Sequence, residues 1–262
     1  MTETASAAAA SPRVVTERDG AVALVRLNRP DKKNALTSDM YADVTRAWAE
    51  AEADESVAVH LWFGLPGAFS AGNDIEEFLA AARTGRLSSA VVDFLRAMAS
   101  LEKPLVIGVD GLAVGVGTTA LFHADLIFAS TRSTFRAPFV DLGLVPEAAS
   151  SLLGPRLMGH AAAFELLCLG NVFDAERARL AGFVNHVVAP EEVEPTARRA
   201  ARALAAKPRG ALLAARRLLR ASPGFGRAEV IARIEEEADE FAARLSSPEA
   251  AAAFAAFMAR KG

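Results

Sequence analysis

Runs of apolar residues, and the polar residues between them, predict alternating strands and helices in the first half of the chain. Residues 21–28, AVALVRLN, alternate as a half-buried strand does, and residues 57–65, VAVHLWFGL, form an apolar run typical of a buried strand. Between them, apolar residues recur at helical spacing from Asp39 to Asp54. Further strands are predicted at PLVIGVDG and DLIFAS, and further helices at IEEFLAAA, SSAVVDFLRAMASLEK and TTALFHA. Strands separated by helices predict an α/β fold in which loops at the strand ends form the binding crevice.

The second half of the chain, past Pro146, is predicted to be mainly helical. Helical patterns cover EAASSLLGPRLMG, AAAFELLCLG and AERARLAG, and one strand is predicted at FVNHVV. From Pro190 onward, further helices are predicted to about Ala206, across ALLAARRLLRA, from about Arg227 to Leu245, and at PEAAAAFAAFMAR. The apolar stripe in AAAFAAFMA exceeds what a monomer is expected to cover, so we expect an oligomer.

Composition narrows the class of protein. The 262 residues are 52% hydrophobic and 23% charged, with a net charge of −3, which is typical of a soluble globular protein without a nucleic-acid partner. Cys168 is the only cysteine, so an intramolecular disulfide is excluded and a cysteine-ligated metal site is disfavoured. The start of the chain does not resemble a secretory signal, and no apolar run has the length of a membrane span. We therefore expect a cytoplasmic protein that does not enter a membrane, with residues 1–12 as a disordered tail.

Two glycine-containing loops stand out as candidate binding elements. The first loop, FSAGND at residues 69–74, lies between a predicted strand and a predicted helix, and the second contains Gly115, Val116 and Gly117 in an equivalent place. The N–H groups in the first turn of a helix have no partner in the helix, and small residues let a ligand approach the backbone. Two such N–H groups that converge would form an oxyanion hole. Each loop, taken singly, is equally consistent with close packing after a strand.

Several other chemistries are disfavoured by the residues present. The glycine spacing in GLAVGVG does not match a dinucleotide-binding motif, and the lysine of a phosphate-binding P-loop is absent, so neither a nicotinamide nor ATP is predicted. Ser70 has no evident His and Asp partners, which disfavours a serine hydrolase. Four histidines are not clustered at metal-ligand spacing and are interpreted as structural: His60, His123, His160 and His186.

Four stretches in order along the chain resemble the crotonase (enoyl-CoA hydratase/isomerase) superfamily. They are NALT, FSAGNDIEEF, KPLVIGVDGLAVGVG and FRAPFVDLGLVPEAASSLLGPRLMG, and the resemblance runs from about Val14 to the C-terminus. It implies a spiral of repeated ββα turns, a helical C-terminal region that forms trimers, often paired into hexamers, and a site for acyl-CoA thioesters. It implies no metal and no redox cofactor. The expected division is a tail at 1–12, a spiral core with the acyl-CoA site at 13–200, and the helical region at 201–262.

The resemblance also implies roles for particular residues. The backbone N–H groups of Asn73 and Val116 are expected to hold the thioester oxygen, so that negative charge can move onto it when a proton leaves the neighbouring carbon. Because the donors belong to the backbone, the side chains at these positions can vary. The residues expected to contact the substrate are Ala35, Ser70, Ala71, Gly72, Asp74, Ile75 and Gly115. Asp74 is also interpreted as a helix cap that fixes its loop.

The acid and base residues divide this superfamily by reaction. A typical hydratase has two glutamates that activate water, and the matching positions here are Thr119 and Phe139, neither of which can act as an acid or a base. A carboxylate occurs instead at Glu147, directly after Pro146, which resembles the peroxisomal-type 3,2-enoyl-CoA isomerases. One glutamate suffices there, because it takes a proton from carbon 2 and returns it to carbon 4. Desolvation in an apolar pocket would raise its pKa toward the operating range.

Alternatives stay open on the sequence alone. Glu147 is equally placed to be an acid in the first turn of a helix that follows Pro146, a common structural position. Asp141 is the second candidate acid. The chain could also be a hydratase, another enzyme that forms an enolate from a CoA thioester, or a non-catalytic acyl-CoA-binding subunit.

Overall fold

The computed structural model describes residues 12–84, 88–221 and 223–259, so residues 1–11 of the predicted tail lie outside the described ranges. Strands within these ranges are short, and most follow one another in pairs. They are Val14–Asp19 (β1), Val22–Leu27 (β2), Val59–Phe63 (β3), Ala68–Ser70 (β4), Leu105–Val109 (β5), Leu112–Val114 (β6), Leu126–Ser130 (β7), Thr134–Arg136 (β8), Phe173–Asp174 (β9) and His186–Val188 (β10).

The helices lie between the strand pairs and then dominate the C-terminal part. They are Ser38–Ala53 (α1), Ile75–Thr84 (α2), Ser89–Ser100 (α3), Val116–Thr119 (α4), Ser150–Leu167 (α5), Ala175–Ala181 (α6), Val193–Ala205 (α7), Arg209–Arg220 (α8), Arg227–Leu245 (α9) and Pro248–Ala259 (α10). Short 3₁₀ turns occur at Pro30–Lys32, Ala120–His123, Val140–Leu142 and Pro190–Glu192. Among the described residues, no helix is both long enough and apolar enough to cross a membrane.

Two sheets run side by side through the molecule. The larger has the strand order β1-β2-β3-β5-β7-β10, and the smaller has the order β4-β6-β8-β9. Three successive strand pairs, β3 with β4, β5 with β6 and β7 with β8, each place one strand in each sheet. The pairings between these turns are parallel in both sheets. This arrangement is the predicted α/β spiral of ββα turns, and it brings the loops that follow β4 and β6 next to each other.

The larger sheet has a helix layer on each face. On one face, α1 and α3 bury an aromatic cluster of Trp48, Trp62, Phe69 and Phe94, in which the Trp62 and Phe69 rings are 5.0 Å apart. On the other face, α7 packs Ala197 and Ala201 against the strands. Phe69 directly precedes Ser70, so the packing of the core fixes where the first loop begins.

Several elements differ from the sequence-based prediction for local reasons. The strands of the smaller sheet have only two or three residues each, which is too short for a detectable alternation. By contrast, the two helices predicted on either side of residue 159 are both present within α5, separated by a kink at Gly159, whose φ of 77° and ψ of 158° are not helical. The first of them was predicted from Glu147, whereas α5 begins at Ser150.

The apolar stripe of α10 is partly covered within the chain. Phe254 is buried and its ring lies 5.3 Å from that of Phe78 on α2. Large exposed apolar side chains lie elsewhere, among them Leu218 and Leu219 on α8. The argument for an oligomer therefore moves from α10 to α8, and the trimer or hexamer itself stays a prediction.

Candidate active site

The first loop turns sharply so that its backbone faces a cleft. Gly72 has a φ of 88°, and a Cβ atom there would stand 2.8 Å from the Val114 carbonyl oxygen, so only glycine fits. The Leu36 N–H donates to the Gly72 carbonyl, and the Asp74 N–H donates to the Leu36 carbonyl, both at 2.8 Å. Leu36 thus bonds to the residues on either side of Asn73. The Asn73 N–H therefore points away from Leu36.

A nearly buried ion pair anchors this loop. Arg29 donates to Asp74 at 2.6 Å, and the two side chains are 11% and 6% exposed. Asp74 also accepts the N–H groups of Glu76 and Glu77 at the start of α2, as a helix cap does. Burial alone would raise the pKa of Asp74, but the hydrogen bonds from Arg29 and from these N–H groups hold it below its usual range. Asp74 is therefore ionised and fixes the loop from behind.

Other buried polar side chains support the loop from below. The Ser70 hydroxyl donates to the Asn34 carbonyl at 2.9 Å and accepts the Gly72 N–H at 3.1 Å. The Asn34 side chain in turn donates to the Ala68 and Phe69 carbonyls. Both side chains are fully buried. Ser70, expected from the sequence to contact substrate, lies beneath the cleft wall.

The second loop meets the first at the start of α4. Gly115 has a φ of 56°, and a Cβ atom there would lie 3.9 Å from the Gly72 Cα, while a Cβ on Gly117 would lie 2.9 Å from the Ser70 carbonyl oxygen. Val116 is the first residue of α4, so the helix supplies no acceptor for its N–H. The structure thus brings Asn73 and Val116, the two predicted oxyanion-hole residues, onto adjacent loops.

The two loops form one wall of a cleft of about 600 Å³. Its wall includes five residues expected to contact or hold substrate: Ala71, Gly72, Asn73, Ile75 and Gly115. Most of the other lining is apolar and comes from Phe78, Val114, Pro138, Phe139, Leu142, Leu144, Phe241 and Phe257. Arg136 and Asp141 supply a polar edge and pair with each other at 2.9 Å. Five other predicted site residues are not among the lining residues: Ala35, Ser70, Asp74, Val116 and Glu147.

Glu147 is a buried carboxyl group that bonds to α4 through Thr119. Glu147 is 5% exposed, and the Thr119 hydroxyl donates a hydrogen bond to its Oε1 at 2.6 Å. Burial raises the pKa of Glu147 to about 7, and the nearby Glu237 carboxylate acts in the same direction, while the Thr119 hydroxyl opposes them. Thr119 lies three residues after Val116 in α4. Three residues span about 4.5 Å of helix, so Thr119, the partner of Glu147, lies about one turn from Val116.

Tyr41 connects Glu147 to the first loop. The Tyr41 hydroxyl donates to Asn73 Oδ1 at 2.5 Å. Burial raises the pKa of Tyr41 well above its usual value, and the charge of Glu147 raises it further. The charge of Glu147 therefore acts on the residue whose hydroxyl bonds to the Asn73 side chain. Tyr41 was not identified from the sequence, where it reads as one more residue of an amphipathic helix.

The turn after Glu147 has an unusual backbone. Ala148 and Ala149 have φ angles of 63° and 53°, in the left-handed region that non-glycine residues rarely adopt. His123 Nε2 lies 2.7 Å from the Ala148 carbonyl oxygen, and because burial lowers the pKa of His123 to about 4, the neutral ring donates this bond. Glu147 precedes the first residue of α5, Ser150, by three positions. The alternative interpretation of Glu147 as an acid in the first turn of a helix is therefore wrong.

The two positions that match the hydratase glutamates have different surroundings. Thr119 bonds to Glu147, and Phe139 is a buried part of the cleft wall. In the part of the chain that the structure describes, no group of three or more His, Cys, Asp or Glu residues could hold a metal ion. Burial raises the pKa of the Cys168 thiol.

One buried acid that matters to the site was missed in the sequence. Glu237 belongs to the charged run EEEADEF, which reads as a solvated surface. The helical period nevertheless places it on the same stripe as Val230, Ile234 and Phe241, all of which are buried. A carboxylate on an apolar stripe is the signal that would have identified it.

Comparisons with known proteins identify relatives over most of the chain. A family model described as Enoyl-CoA hydratase/isomerase matches residues 17–260. Enoyl-CoA delta isomerase 2 of Rattus norvegicus is 32% identical over 256 residues, which cover 96% of this chain and 64% of the relative. The peroxisomal enoyl-CoA delta isomerase 3 of Mus musculus is 36% identical over 181 residues, which cover 66% of this chain and 56% of the relative. The chain therefore spans less than two thirds of the length of these two relatives.

Solved structures share the whole architecture. Pseudomonas aeruginosa OdaA is 41% identical with a TM-score of 0.88, and the match covers 95% of this chain and 99% of that one. Other relatives are named as hydratases rather than isomerases. The names of similar proteins thus include both reactions, and the acid and base residues of this chain have to decide between them.

The raised pKa of Glu147 predicts a particular dependence of stability on pH. Relative to an ordinary value of 4.5, a pKa of about 7 means that folding favours the protonated carboxyl. Its stabilising contribution is complete below pH 4.5 and is lost as the pH rises through about 7. The free energy of unfolding can be measured by urea denaturation at pH 5 and at pH 8. Between these two pH values it should fall by about 2 kcal/mol more in the wild-type protein than in Glu147→Gln, whose side chain at this position cannot ionise.

The exposed Glu50→Gln variant is the matched control and should keep the wild-type dependence, since Glu50 is 73% exposed. An identical pH dependence in Glu147→Gln and the wild type would show that Glu147 titrates as an ordinary exposed glutamate.

Proposed function

The chain belongs to the enoyl-CoA hydratase/isomerase family, and from this premise we propose that it is an isomerase that converts a 3-enoyl-CoA into a 2-enoyl-CoA. The proposal rests on the buried carboxyl of Glu147, which bonds to Thr119 on the helix that begins at Val116. A double-bond shift needs one group that both takes and returns a proton, together with a site for the charge that forms between the two steps.

The first step is removal of a proton from carbon 2 of the substrate. The ionised Glu147 takes this proton on Oε2, which accepts no hydrogen bond from a described residue, while Thr119 holds Oε1. The electrons of the broken C–H bond spread over carbons 2 to 4 and onto the thioester oxygen. A pKa of about 7 gives both protonation states near neutral pH, which suits a group that has to be a base and then an acid.

The second step returns the same proton to carbon 4. The double bond between carbons 3 and 4 becomes a double bond between carbons 2 and 3, and Glu147 is ionised again. In the dienolate, negative charge lies on the thioester oxygen, and in this proposal the N–H groups of Asn73 and Val116 hold it. Fixed donors of this kind each lower the barrier by roughly 3 to 4 kcal/mol. The two proton transfers consume no water, and they conserve atoms and electrons without a metal or a redox group.

Hydration is the second candidate, and one observation favours it. Asp141 is the carboxylate among the residues that line the cleft, so a second acid or base is within the same space as the substrate. Its pairing with Arg136 at 2.9 Å and its position on the exposed edge argue against that role, because an activated water needs an acceptor beside the reacting carbon.

Product analysis tests the proposal directly. We expect 3-hexenoyl-CoA to give 2-hexenoyl-CoA, with the enoyl absorbance rising and the mass unchanged. The hydratase interpretation instead predicts that 2-hexenoyl-CoA loses this absorbance and gains the mass of one water. Tight binding of both esters with no conversion of either would favour a non-catalytic subunit.

Substitution of the two acids separates their roles. Glu147→Gln keeps the shape of the side chain and its bond to Thr119 but cannot take a proton, so turnover of 3-hexenoyl-CoA should fall about 100- to 10,000-fold. Binding of the 2-enoyl product, measured by calorimetry, should change little. Asp141→Asn, the comparison variant, should stay within about threefold of the wild-type rate. If Asp141→Asn abolishes turnover and Glu147→Gln does not, the assignment of the base is wrong.

A further inference from the structure

A second buried glutamate lies behind the proposed base. Glu237, on α9, is 6% exposed, and its Oε1 accepts hydrogen bonds from both the backbone N–H and the hydroxyl of Ser151, the former at 2.9 Å. Its other oxygen, Oε2, makes no hydrogen bond of good geometry with any described residue. A carboxylate so deeply buried is costly unless its charge has a use or a partner.

The bond to Ser151 fixes one end of the turn that carries Glu147. Ala148 and Ala149, the two residues with left-handed backbones, lie between Glu147 and the start of α5. Each such residue costs on the order of 1 kcal/mol or more, so the surroundings must impose the conformation. His123 holds the Ala148 carbonyl from one side, and Glu237 holds the Ser151 N–H from the other. The direction of the Glu147 side chain depends on this turn.

We propose that Glu237 is a positioning residue for the reaction of Glu147: from α9 it holds the turn at 148–151 that directs the Glu147 side chain, and it is a second buried carboxyl of the site. This inference rests on the isomerase proposed above, since it assigns the second member of the same site. Glu237 acts through the turn and through its charge, and it need not touch the substrate.

The electrostatic part follows from like charges in a dry environment. Burial raises the pKa of Glu237 to about 7, against the opposing effects of Ser151, the Ala149 N–H and Arg233. The charge of Glu237 in turn raises the pKa of Glu147. Two carboxyls that interact in this way titrate as a pair, and ionising one makes the other a stronger base.

Few other charges face the pair. Arg233, on α9 itself, is the cation that acts on Glu237. Tyr41 and His123 are neutral near pH 7, because burial shifts the pKa of each toward its neutral form. The charged groups that meet α9 from α3 and α10 pair on the exposed surface: Arg96 with Glu235, and Glu249 with Arg244.

The test compares Glu237→Gln with Glu240→Gln. Glutamine keeps an oxygen for Ser151 but removes the charge, whereas Glu240 lies one turn further along α9, pairs with Arg244 and is 57% exposed. In Glu237→Gln the acid limb of kcat/KM for 3-hexenoyl-CoA should move to lower pH by about half a unit or more. The value of kcat should fall about 10-fold, with KM within about twofold. Glu240→Gln should match the wild type in the position of the acid limb, in kcat and in KM.

A titration without substrate keeps the proposal independent of turnover. Carbon-13 NMR of labelled glutamate carboxyls should show Glu147 titrating at lower pH in Glu237→Gln, and Glu237 titrating at lower pH by the same amount in Glu147→Gln. If Glu237→Gln does not fold, the titration of Glu237 in Glu147→Gln still tests the interaction.

The outcomes separate the two proposals. Wild-type protein that converts no 3-enoyl-CoA but shows the reciprocal shifts would reject the isomerase and retain the coupled pair. Active wild-type protein whose Glu147 titration and pH profile are unchanged by Glu237→Gln would overturn the role of Glu237. Unchanged titration of Glu237 in Glu147→Gln would overturn it equally.

Discussion

Burial of the Glu147 carboxyl is the constraint on which the rest of the site depends. In water this carboxyl would lose its proton at a pH well below 7, and the resulting carboxylate would be a weak base. Inside the protein it has one hydrogen bond, from Thr119, and apolar surroundings that raise its pKa to about 7. The same burial costs folding free energy whenever the carboxyl ionises, so the fold has to compensate elsewhere. The well-packed sheets and the aromatic cluster beneath the first loop offset this cost, together with the cost of the left-handed backbone at Ala148 and Ala149.

The two sheets bring the two glycine-containing loops together. The loops after β4 and β6 lie next to each other because successive turns of the spiral stack in parallel. Gly72 and Gly117 permit an approach that any side chain would block, and the Arg29–Asp74 ion pair keeps the first loop from relaxing. Such rigid donors need no reorganisation when charge develops on a ligand oxygen. If the proposed function holds, a site for enolate chemistry can therefore consist largely of backbone groups with few ionisable side chains.

The sequence predicted most of the architecture and the relevant loops, and it missed what depends on tertiary packing. Long apolar periods predicted the larger sheet and the C-terminal helices, and the motif order identified the family. The short strands of the smaller sheet carry no period, because two or three residues cannot show one. Ser70 was expected in the cleft, but its hydroxyl faces inward to Asn34. Glu237 could have been found from its place on an apolar stripe, whereas the pairing of Tyr41 with Asn73 depends on how α1 packs against the first loop.

The most direct test of the central claim follows one hydrogen through the reaction. A 3-enoyl-CoA carrying deuterium at carbon 2 is converted in ordinary water, and the product is examined by mass spectrometry and NMR early in the reaction. If the buried Glu147 alone carries the proton, part of the deuterium appears at carbon 4 of the 2-enoyl product, because a carboxyl shielded from solvent exchanges slowly. Rapid isomerisation in which carbon 4 acquires only solvent hydrogen from the first turnovers would contradict a single buried carrier.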